Sequence, residues 1–325
     1  MPIRMDAQAP SAAISSNNRK LHSPLHSTDM LLFVFWGSLA MISLVMHSRI
    51  RLWWAIVAAD LAAVVLICAL AYASQITDSK VLRWVHDWTA FPLVIFTYKQ
   101  LYYIIGPIHH GKDFDQLLIA LDRLLFRANP TEWLARFSNP YLTEVLQIAY
   151  SLFYVLFLAV GFELYQRQDL SQFRLARFTI VYGFLLSYIG YFFLPAAGPR
   201  FTLHDFSKID TELPGVLFTN SLRWFVNIGE SIRSGVSNAV ALASAQRDVF
   251  PSGHTMMALV TIVLAYRYQL KIRGYVLALG LLLIISTVYL RYHYLVDVVA
   301  GAFLALVCVF TVGGVYTWLK SDSRD

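Results

Sequence analysis

Charged residues are scarce in this sequence. They make up 14% of its 325 residues, whereas hydrophobic residues make up 58%. Soluble domains contain about 25% charged residues, so the composition excludes an ordinary soluble protein. The sequence therefore predicts an integral membrane protein.

Cysteine is almost absent, since the chain contains only Cys68 and Cys308. Both lie within apolar segments, which excludes a disulfide scaffold or a cysteine-based metal centre and indicates two small packed residues. The net charge of +6 could indicate an anionic partner. Most basic residues, however, lie in connecting segments, as membrane orientation requires, so nucleic acid is not a predicted partner.

The N-terminal residues lack the compact apolar core and small-residue cleavage site of a signal peptide. Residues 1–29 are polar and rich in Ser, Asn and Ala, and they are predicted to form a disordered cytoplasmic tail. Because acidic residues are few in this stretch, a transit peptide remains the alternative.

Eight apolar segments close to membrane-spanning length follow the tail. They comprise residues 30–46, 53–73, 88–105, 141–164, 175–195, 255–270, 275–290 and 298–319. The predicted fold is all-α and polytopic. Two additional transmembrane helices occupy residues 30–84, and a six-helix catalytic membrane domain occupies 85–320, with long loops at 106–140 and 196–250.

The two long loops contain segments with one apolar and one polar side. Residues 115–126 are predicted to form a helix that lies in the membrane interface. Residues 221–232 form a similar segment, which we interpret as a lid or a lipid-docking surface because long loops are unusual without a function. The side chains of His109, His110, Asp113 and Asp115 fit no tight ligand spacing, so a hydrated loop is predicted there and not a metal site.

The stretch from Asp248 to Thr255 lies where the second long loop ends and an apolar helix begins. Ser252 is a suitable N-cap, since its hydroxyl can accept hydrogen bonds from amides of the first turn. Gly253 permits close approach of a ligand to the backbone, and His254 follows in the first turn. Such a helix start can bind phosphate, and a histidine there can donate a proton. The alternative is an ordinary capped helix with an interfacial histidine.

A second polar cluster extends from Ser286 to Asp297. His293 and Asp297 are four residues apart, so on a helix they would share one face. A carboxylate that holds an imidazole fixes its tautomer and raises its nucleophilicity. Further upstream, Arg200 in Gly198-Pro199-Arg200 places a guanidinium next to another apolar segment, and arginine is the preferred bidentate ligand of phosphate.

These motifs resemble those of the type 2 phosphatidic acid phosphatase superfamily of membrane phosphatases. FPSGHT and YLRYHYLVDVVAG are similar to its second and third signature motifs, and GPR is similar to the first motif of the branch that contains the inositol phosphorylceramide synthases. The motifs extend from Gly198 to Gly301. The combination of two histidine motifs is specific evidence for this resemblance, whereas GPR alone is weak evidence.

The resemblance implies a role for each matching residue. His293 would attack phosphorus, oriented by Asp297, and His254 would protonate the leaving group. The phosphoryl oxygens would be bound by four further residues, which are Arg200, Ser252, Gly253 and Arg291. The family's chemistry needs no metal, and no cofactor is predicted.

Two positions depart from the commoner family pattern. Phe193 stands where that pattern has a lysine seven residues before the first-motif arginine. Thr287 stands where it has an arginine directly after the third-motif serine. Arg291 lies one turn beyond Thr287 and, on the same helical face, could replace that arginine. Lys99 could replace the lysine, although a lysine near a helix end more often extends to the interface.

The predicted activity is hydrolysis of a lipid phosphate monoester or pyrophosphate through a phosphohistidine. A phosphotransferase that moves a phospho-headgroup between lipids is the nearest alternative, because GPR and the additional helices resemble the synthase branch. A non-enzymatic lipid transporter is a third. The predicted partner is a lipid phosphate in the bilayer; the lipid and the oligomeric state stay open.

Basic residues concentrate in the tail and in the links after the second, fourth and sixth apolar segments, which predicts that these parts face the cytoplasm. The three motifs would then face the extracytoplasmic side, in a cell (inner) membrane. Single cysteines at Ser207 and Gln168, in a background without Cys68 and Cys308, test this orientation. A membrane-impermeant thiol reagent should label intact cells only at position 207. Labelling only at 168 would place the motifs in the cytoplasm.

Overall fold

The computed structural model describes residues 24–233 and 235–320, and these residues form helices joined by loops, with no strand among them. The α-helices are α1 Ser27–Val45, α2 Trp53–Ile76, α3 Lys80–Ile108, α4 Asp115–Phe126, α5 Pro130–Leu134, α6 Pro140–Ser151, α7 Phe153–Gln166, α8 Leu170–Tyr191, α9 Pro199–Thr202, α10 Ile209–Glu212, α11 Thr219–Gly229, α12 Asn238–Ser244, α13 Gly253–Arg267, α14 Arg273–Tyr289 and α15 Leu295–Leu319. The all-α prediction is confirmed. The predicted tail lies mostly outside the described residues, and α1 begins two residues before its predicted end.

Every predicted apolar segment is helical, although fewer helices qualify as membrane spans by length and composition. Within the described ranges α1, α2 and α15 qualify on their own. The predicted fourth span consists of two helices, α6 and α7, which meet at an angle of 50° and qualify together. Helix α14 is apolar but shorter. The chain is thus an all-α polytopic membrane protein, and eight spans remain a prediction.

Helix α13 occupies the centre of the helical bundle. It packs against α7, α8, α14 and α15, while α8 also packs against α3 and α1. Apolar side chains such as Met256, Met257 and Val260 are fully buried on α13 and join one large core. The helix that follows the Ser252-Gly253-His254 motif is therefore held on several sides by its neighbours.

The turn before α13 is enclosed by glycines of neighbouring helices. A Cβ atom on Gly301 of α15 would lie 2.4 Å from the carbonyl oxygen of Ser252, and one on Gly190 of α8 would lie 2.4 Å from Cδ of Pro251. A Cβ on Gly253 itself would lie 2.5 Å from the Tyr191 hydroxyl. The motif backbone consequently has no space for a methyl group on three sides, and Gly253 has a packing role in addition to any ligand role.

The two glycines Gly301 and Gly314 of α15 offer a matched test of this packing. Gly301→Ala should lower the free energy of unfolding by about 1–3 kcal/mol, because the new methyl meets backbone that cannot move aside easily. Gly314→Ala should be neutral or stabilising by up to about 1 kcal/mol, since nothing lies within 4 Å of the added carbon. Unfolding in detergent measures both. Equal effects of the two substitutions would contradict the packing described.

Candidate active site

Three segments converge at one end of the bundle: the Gly198-Pro199-Arg200 turn after α8, the start of α13, and the α14–α15 connection. Backbone hydrogen bonds join them directly. The Arg200 amide donates to the carbonyl oxygen of Arg291 at 3.0 Å, and the Ser252 amide donates to that of Asp297, also at 3.0 Å. The three sequence motifs are thus parts of one local structure.

Ser252 caps α13 as predicted. Its hydroxyl accepts a hydrogen bond from the Thr255 amide at 3.2 Å. The ring of His254, two residues further along the motif, lies 5.7 Å from the ring of His293, measured between centroids. The structure therefore places the two motif histidines as near neighbours, although they are separated by most of two helices in sequence.

Aromatic side chains fix the position of His254. Tyr150 of α6 stacks on the imidazole with a centroid distance of 4.6 Å, and Phe153 of α7 packs beside it at 4.3 Å. Tyr150 also stacks on Tyr292 at 4.1 Å. These contacts orient one histidine and at the same time connect α6 and α7 to the α14–α15 turn.

His293 lies in the turn before α15 and not on a helix, so the predicted shared helical face with Asp297 is wrong. Its Nδ1 lies 2.9 Å from the carbonyl oxygen of Val249. A carbonyl can only accept, so Nδ1 must carry the proton and donate it. The lone pair is then on Nε2. Burial lowers the pKa of His293 to about 3, although the Val249 bond opposes this shift. The imidazole is therefore neutral at neutral pH and Nε2 is a nucleophile.

Asp297 occupies the third position of α15 and has two neighbours. Its Oδ2 accepts a hydrogen bond from the Tyr294 amide at 2.8 Å, which caps the helix, and the same oxygen lies 3.5 Å from Nδ1 of His293. Oδ1 is buried and has no hydrogen-bond partner within the described part of the chain. The carboxylate thus supports the helix start and lies beside the imidazole, whose closer partner is Val249.

Arg200 is held between two aromatic rings and two polar side chains. Its guanidinium carbon lies 4.7 Å from the ring centroids of both Phe201 and Tyr292. One terminal nitrogen pairs with Glu230, and the other donates to Asn227 at 3.5 Å. Nε is buried and makes no hydrogen bond to any described residue.

Arg291 resembles Arg200 in having an ion pair and one unpartnered nitrogen. It is buried and pairs with Glu212 through one terminal nitrogen, and its Nε is also without a hydrogen-bond partner among the residues described. Buried donors normally have partners, so these two guanidinium nitrogens are candidate donors to an acceptor that the described residues do not supply. Phosphoryl oxygens are acceptors that arginine binds well.

The position of Arg291 differs from the prediction that it shares a helical face with Thr287. Helix α14 ends at Tyr289, and Arg291 has φ of +68°, which is the left-handed conformation. The Arg291 amide donates to the Val288 carbonyl, and the Tyr292 amide to that of Thr287, at 3.0 and 2.9 Å. This is a Schellman motif, whose left-handed position usually contains glycine. An arginine at that position has a conformational cost that a function would explain.

Two buried aspartates of α4 contribute to the site, and the sequence did not indicate them. Asp115, predicted to lie in a hydrated loop, is buried because its carboxylate accepts hydrogen bonds from the amides of Ala197 and Gly198, at 2.9 and 2.8 Å. It also accepts from the Tyr294 hydroxyl at 2.7 Å. Asp115 therefore links the first-motif turn to the α14–α15 turn.

Asp122 lies seven residues further along α4 and performs the equivalent task for α15. Its carboxylate accepts hydrogen bonds from the Leu295 and Val296 amides at 3.1 and 2.8 Å. These amides are free because they belong to the first turn of a helix. A pair of acids two turns apart on one amphipathic helix is the one sequence signal that could have indicated this role.

The structure also shows the surroundings of Phe193, which departs from the family pattern, and of Lys99, its suggested replacement. The side chain of Phe193 is apolar and 70% exposed, so it cannot replace a lysine contact with phosphate. Lys99 of α3 donates to the carbonyl oxygen of Gly229, at the C-terminus of α11. In this structure Lys99 thus binds a loop helix, and its predicted contact with phosphate remains a prediction.

Substitution of Arg291 separates backbone conformation from ligand binding. The free energy of unfolding of the Arg291→Gly variant should be about 1 kcal/mol higher than that of the Arg291→Ala variant. Both variants lack the guanidinium, but only glycine adopts positive φ without cost. Both variants should lose affinity for inorganic phosphate, and Arg291→Lys should lose part of it, since lysine lacks the planar fork. Thermal unfolding and phosphate titration measure the two effects. Undiminished phosphate binding by Arg291→Ala would show that Arg291 is only a structural anchor.

Comparison with known proteins shows which family the sequence belongs to. A model of the PAP2 superfamily matches residues 116–311, which include the three motifs and α4 to most of α15. A PA-phosphatase related-family protein of Dictyostelium discoideum is 36% identical over 110 residues, which are 34% of this chain and 18% of that protein. The chain thus spans less than a fifth of that relative. No solved structure matches. Since the family match covers more than half of the sequence, this chain belongs to the PAP2 superfamily.

Proposed function

We propose that the chain hydrolyses a lipid phosphate monoester or pyrophosphate at the extracytoplasmic face of the membrane, through a phosphohistidine at His293. One observation carries the proposal. Nδ1 of His293 donates to the Val249 carbonyl, so that Nε2 is a free nucleophile beside His254. The unpartnered Nε atoms of Arg200 and Arg291 add donors for the phosphoryl oxygens.

In the first step Nε2 of His293 attacks phosphorus in line with the leaving oxygen. The N–P bond forms as the P–O bond to the lipid breaks, and His254 donates a proton to the leaving oxygen. A bound phosphate favours the protonated form of His254, because an opposite charge stabilises an imidazolium. In the second step water attacks the phosphohistidine, and His254 accepts its proton.

Charge on the equatorial oxygens is balanced by groups that are already in position. Arg200 and Arg291 supply guanidinium donors. Ser252 caps α13 and Gly253 begins it, so these two residues place the first-turn amides and the positive dipole end of that helix at the site. When His293 is phosphorylated its ring carries positive charge, and the carboxylate of Asp297, 3.5 Å from Nδ1, is placed to stabilise that charge.

A phosphotransferase is the second candidate function. Helices α1, α2 and α3 lie outside the residues that match the family, yet α1 and α3 pack against α8, and α2 packs against α1 and α3. Such an addition could bind an acceptor lipid, in which case the acceptor hydroxyl would replace water in the second step. The first step and its residues would be the same.

Purified protein should be incubated with phosphatidate, an isoprenyl pyrophosphate and a sphingoid phosphate, with released phosphate and transferred headgroup both measured. Release of phosphate supports the hydrolase, and transfer to a second lipid supports the alternative. His254→Ala should lower the rate by about 10²–10⁴-fold, the usual contribution of a general acid. His293→Ala should abolish turnover.

His47→Ala is the matched control, because His47 is exposed and its ring contacts the Leu44 carbonyl and Trp53, neither of which belongs to the candidate site. It should retain full turnover. Turnover that persists in His293→Ala would contradict the proposal.

A further inference from the structure

Helix α11 has the reverse of the usual amphipathic arrangement. Its polar residues Thr219, Arg223 and Asn227, spaced by four, form the buried stripe. Three of its large apolar residues point outward, since Trp224, Phe225 and Ile228 are 54%, 63% and 51% exposed. A surface helix in water would bury the apolar side, so this orientation indicates an apolar environment outside the protein.

The buried polar stripe leads to the active site. Arg223 pairs with Asp210 and donates to the Leu213 carbonyl at 2.9 Å, which holds α11 to the rest of its loop. Near the C-terminal end, Asn227 accepts from Arg200 at 3.5 Å, and Glu230 directly after the helix pairs with the same guanidinium. The position of α11 therefore determines the position of a candidate phosphate-binding arginine.

The N-terminal end of α11 is fixed to α6 by one carboxylate. Glu144 accepts hydrogen bonds from the amides of Val216 and Leu217, at 2.8 and 3.0 Å, and from the Thr219 hydroxyl at 2.7 Å. Helix α6 belongs to the bent apolar pair that qualifies as a span, and its Tyr141 is 75% exposed. The apolar side of α11 thus continues the lipid-facing surface of α6.

We infer that α11, which contacts Arg200 through Asn227 and Glu230, docks into the bilayer leaflet on the active-site side, with Trp224 and Phe225 among the acyl chains. Aromatic and aliphatic side chains on one side of a helix are typical of helices that lie in the interface. The consequence, which rests on the proposed function, is that docking of α11 speeds turnover of phosphates that the bilayer presents and does not affect turnover of free soluble esters.

Fluorescence tests the docking independently of any activity. Single cysteines at Phe225 and, as control, at exposed Ser207 of the same loop are introduced in a Cys68→Ser, Cys308→Ala background and labelled with an environment-sensitive dye. In phosphatidylcholine vesicles, spin-labelled lipid should quench the dye at position 225 and not at 207. Equal quenching by aqueous iodide at both positions would overturn the proposal. The proposal would also be overturned if the dye at position 225 were protected from iodide only at high protein density. That result would mean that a second copy of the chain covers this surface.

Activity tests the consequence. Phe225→Asp should lower turnover of a phosphorylated lipid in vesicles by about tenfold or more, because one buried aromatic side chain contributes at least this much to membrane docking. Turnover of a short-chain, monomerically dissolved phosphate ester should change little. Ser207→Asp, which adds the same charge to the same loop, should affect neither substrate.

Phe225→Ala is the milder second variant and should show a smaller loss with the same substrate dependence. Equal loss on both substrates, in either variant, would overturn the proposal. If the unsubstituted protein acts on neither substrate, the proposed function fails, while the quenching measurement still decides whether α11 docks.

Discussion

The chemistry proposed for the site depends on one hydrogen bond, from Nδ1 of His293 to the Val249 carbonyl. It fixes the tautomer, and it connects the turn before α15 to the residue that precedes the Phe250-Pro251-Ser252 turn. The bond can form only if these two turns remain in register. The amide of Ser252 bonded to the Asp297 carbonyl maintains that register, and Gly301 permits the close approach.

Four carboxylates around this bond hold the neighbouring segments in place, two through backbone amides and two through arginine side chains. Asp115 and Asp122 bind backbone amides of the first-motif turn and of α15, so α4 holds two of the three motif segments. Glu212 and Glu230 instead pair with the side chains of Arg291 and Arg200. A buried, charged guanidinium needs such partners. In each of the two arginines the Nε atom has no hydrogen-bond partner among the described residues and is a candidate donor to a ligand.

Much of this arrangement is encoded locally and could be predicted from the sequence. The apolar segments are helical because their composition permits little else, and Ser252 caps α13 because a hydroxyl followed by free amides does so in most contexts. The shared helical face of His293 and Asp297 could not be decided in this way. A four-residue spacing is compatible with a helix or with a turn that precedes one, and the choice depends on where Leu295 and Val296 find their acceptor.

That acceptor is Asp122, which is more than 170 positions away in sequence. The roles of Glu212 and Glu230 depend equally on tertiary contacts, and nothing in the sequence distinguishes these two residues from other acids of the same loop. The left-handed conformation of Arg291 follows from the end of α14 at Tyr289, a boundary that apolar periodicity does not define to within a turn.

Identification of the phosphorylated nitrogen tests the central claim most directly. Protein quenched with base during turnover of a phosphorylated lipid should contain a phosphohistidine, which tandem mass spectrometry assigns to a residue and phosphorus NMR assigns to a ring nitrogen. The structure predicts phosphate on Nε2 of His293, because Nδ1 is engaged by Val249. Phosphate on Nδ1, or on His254, would contradict the account.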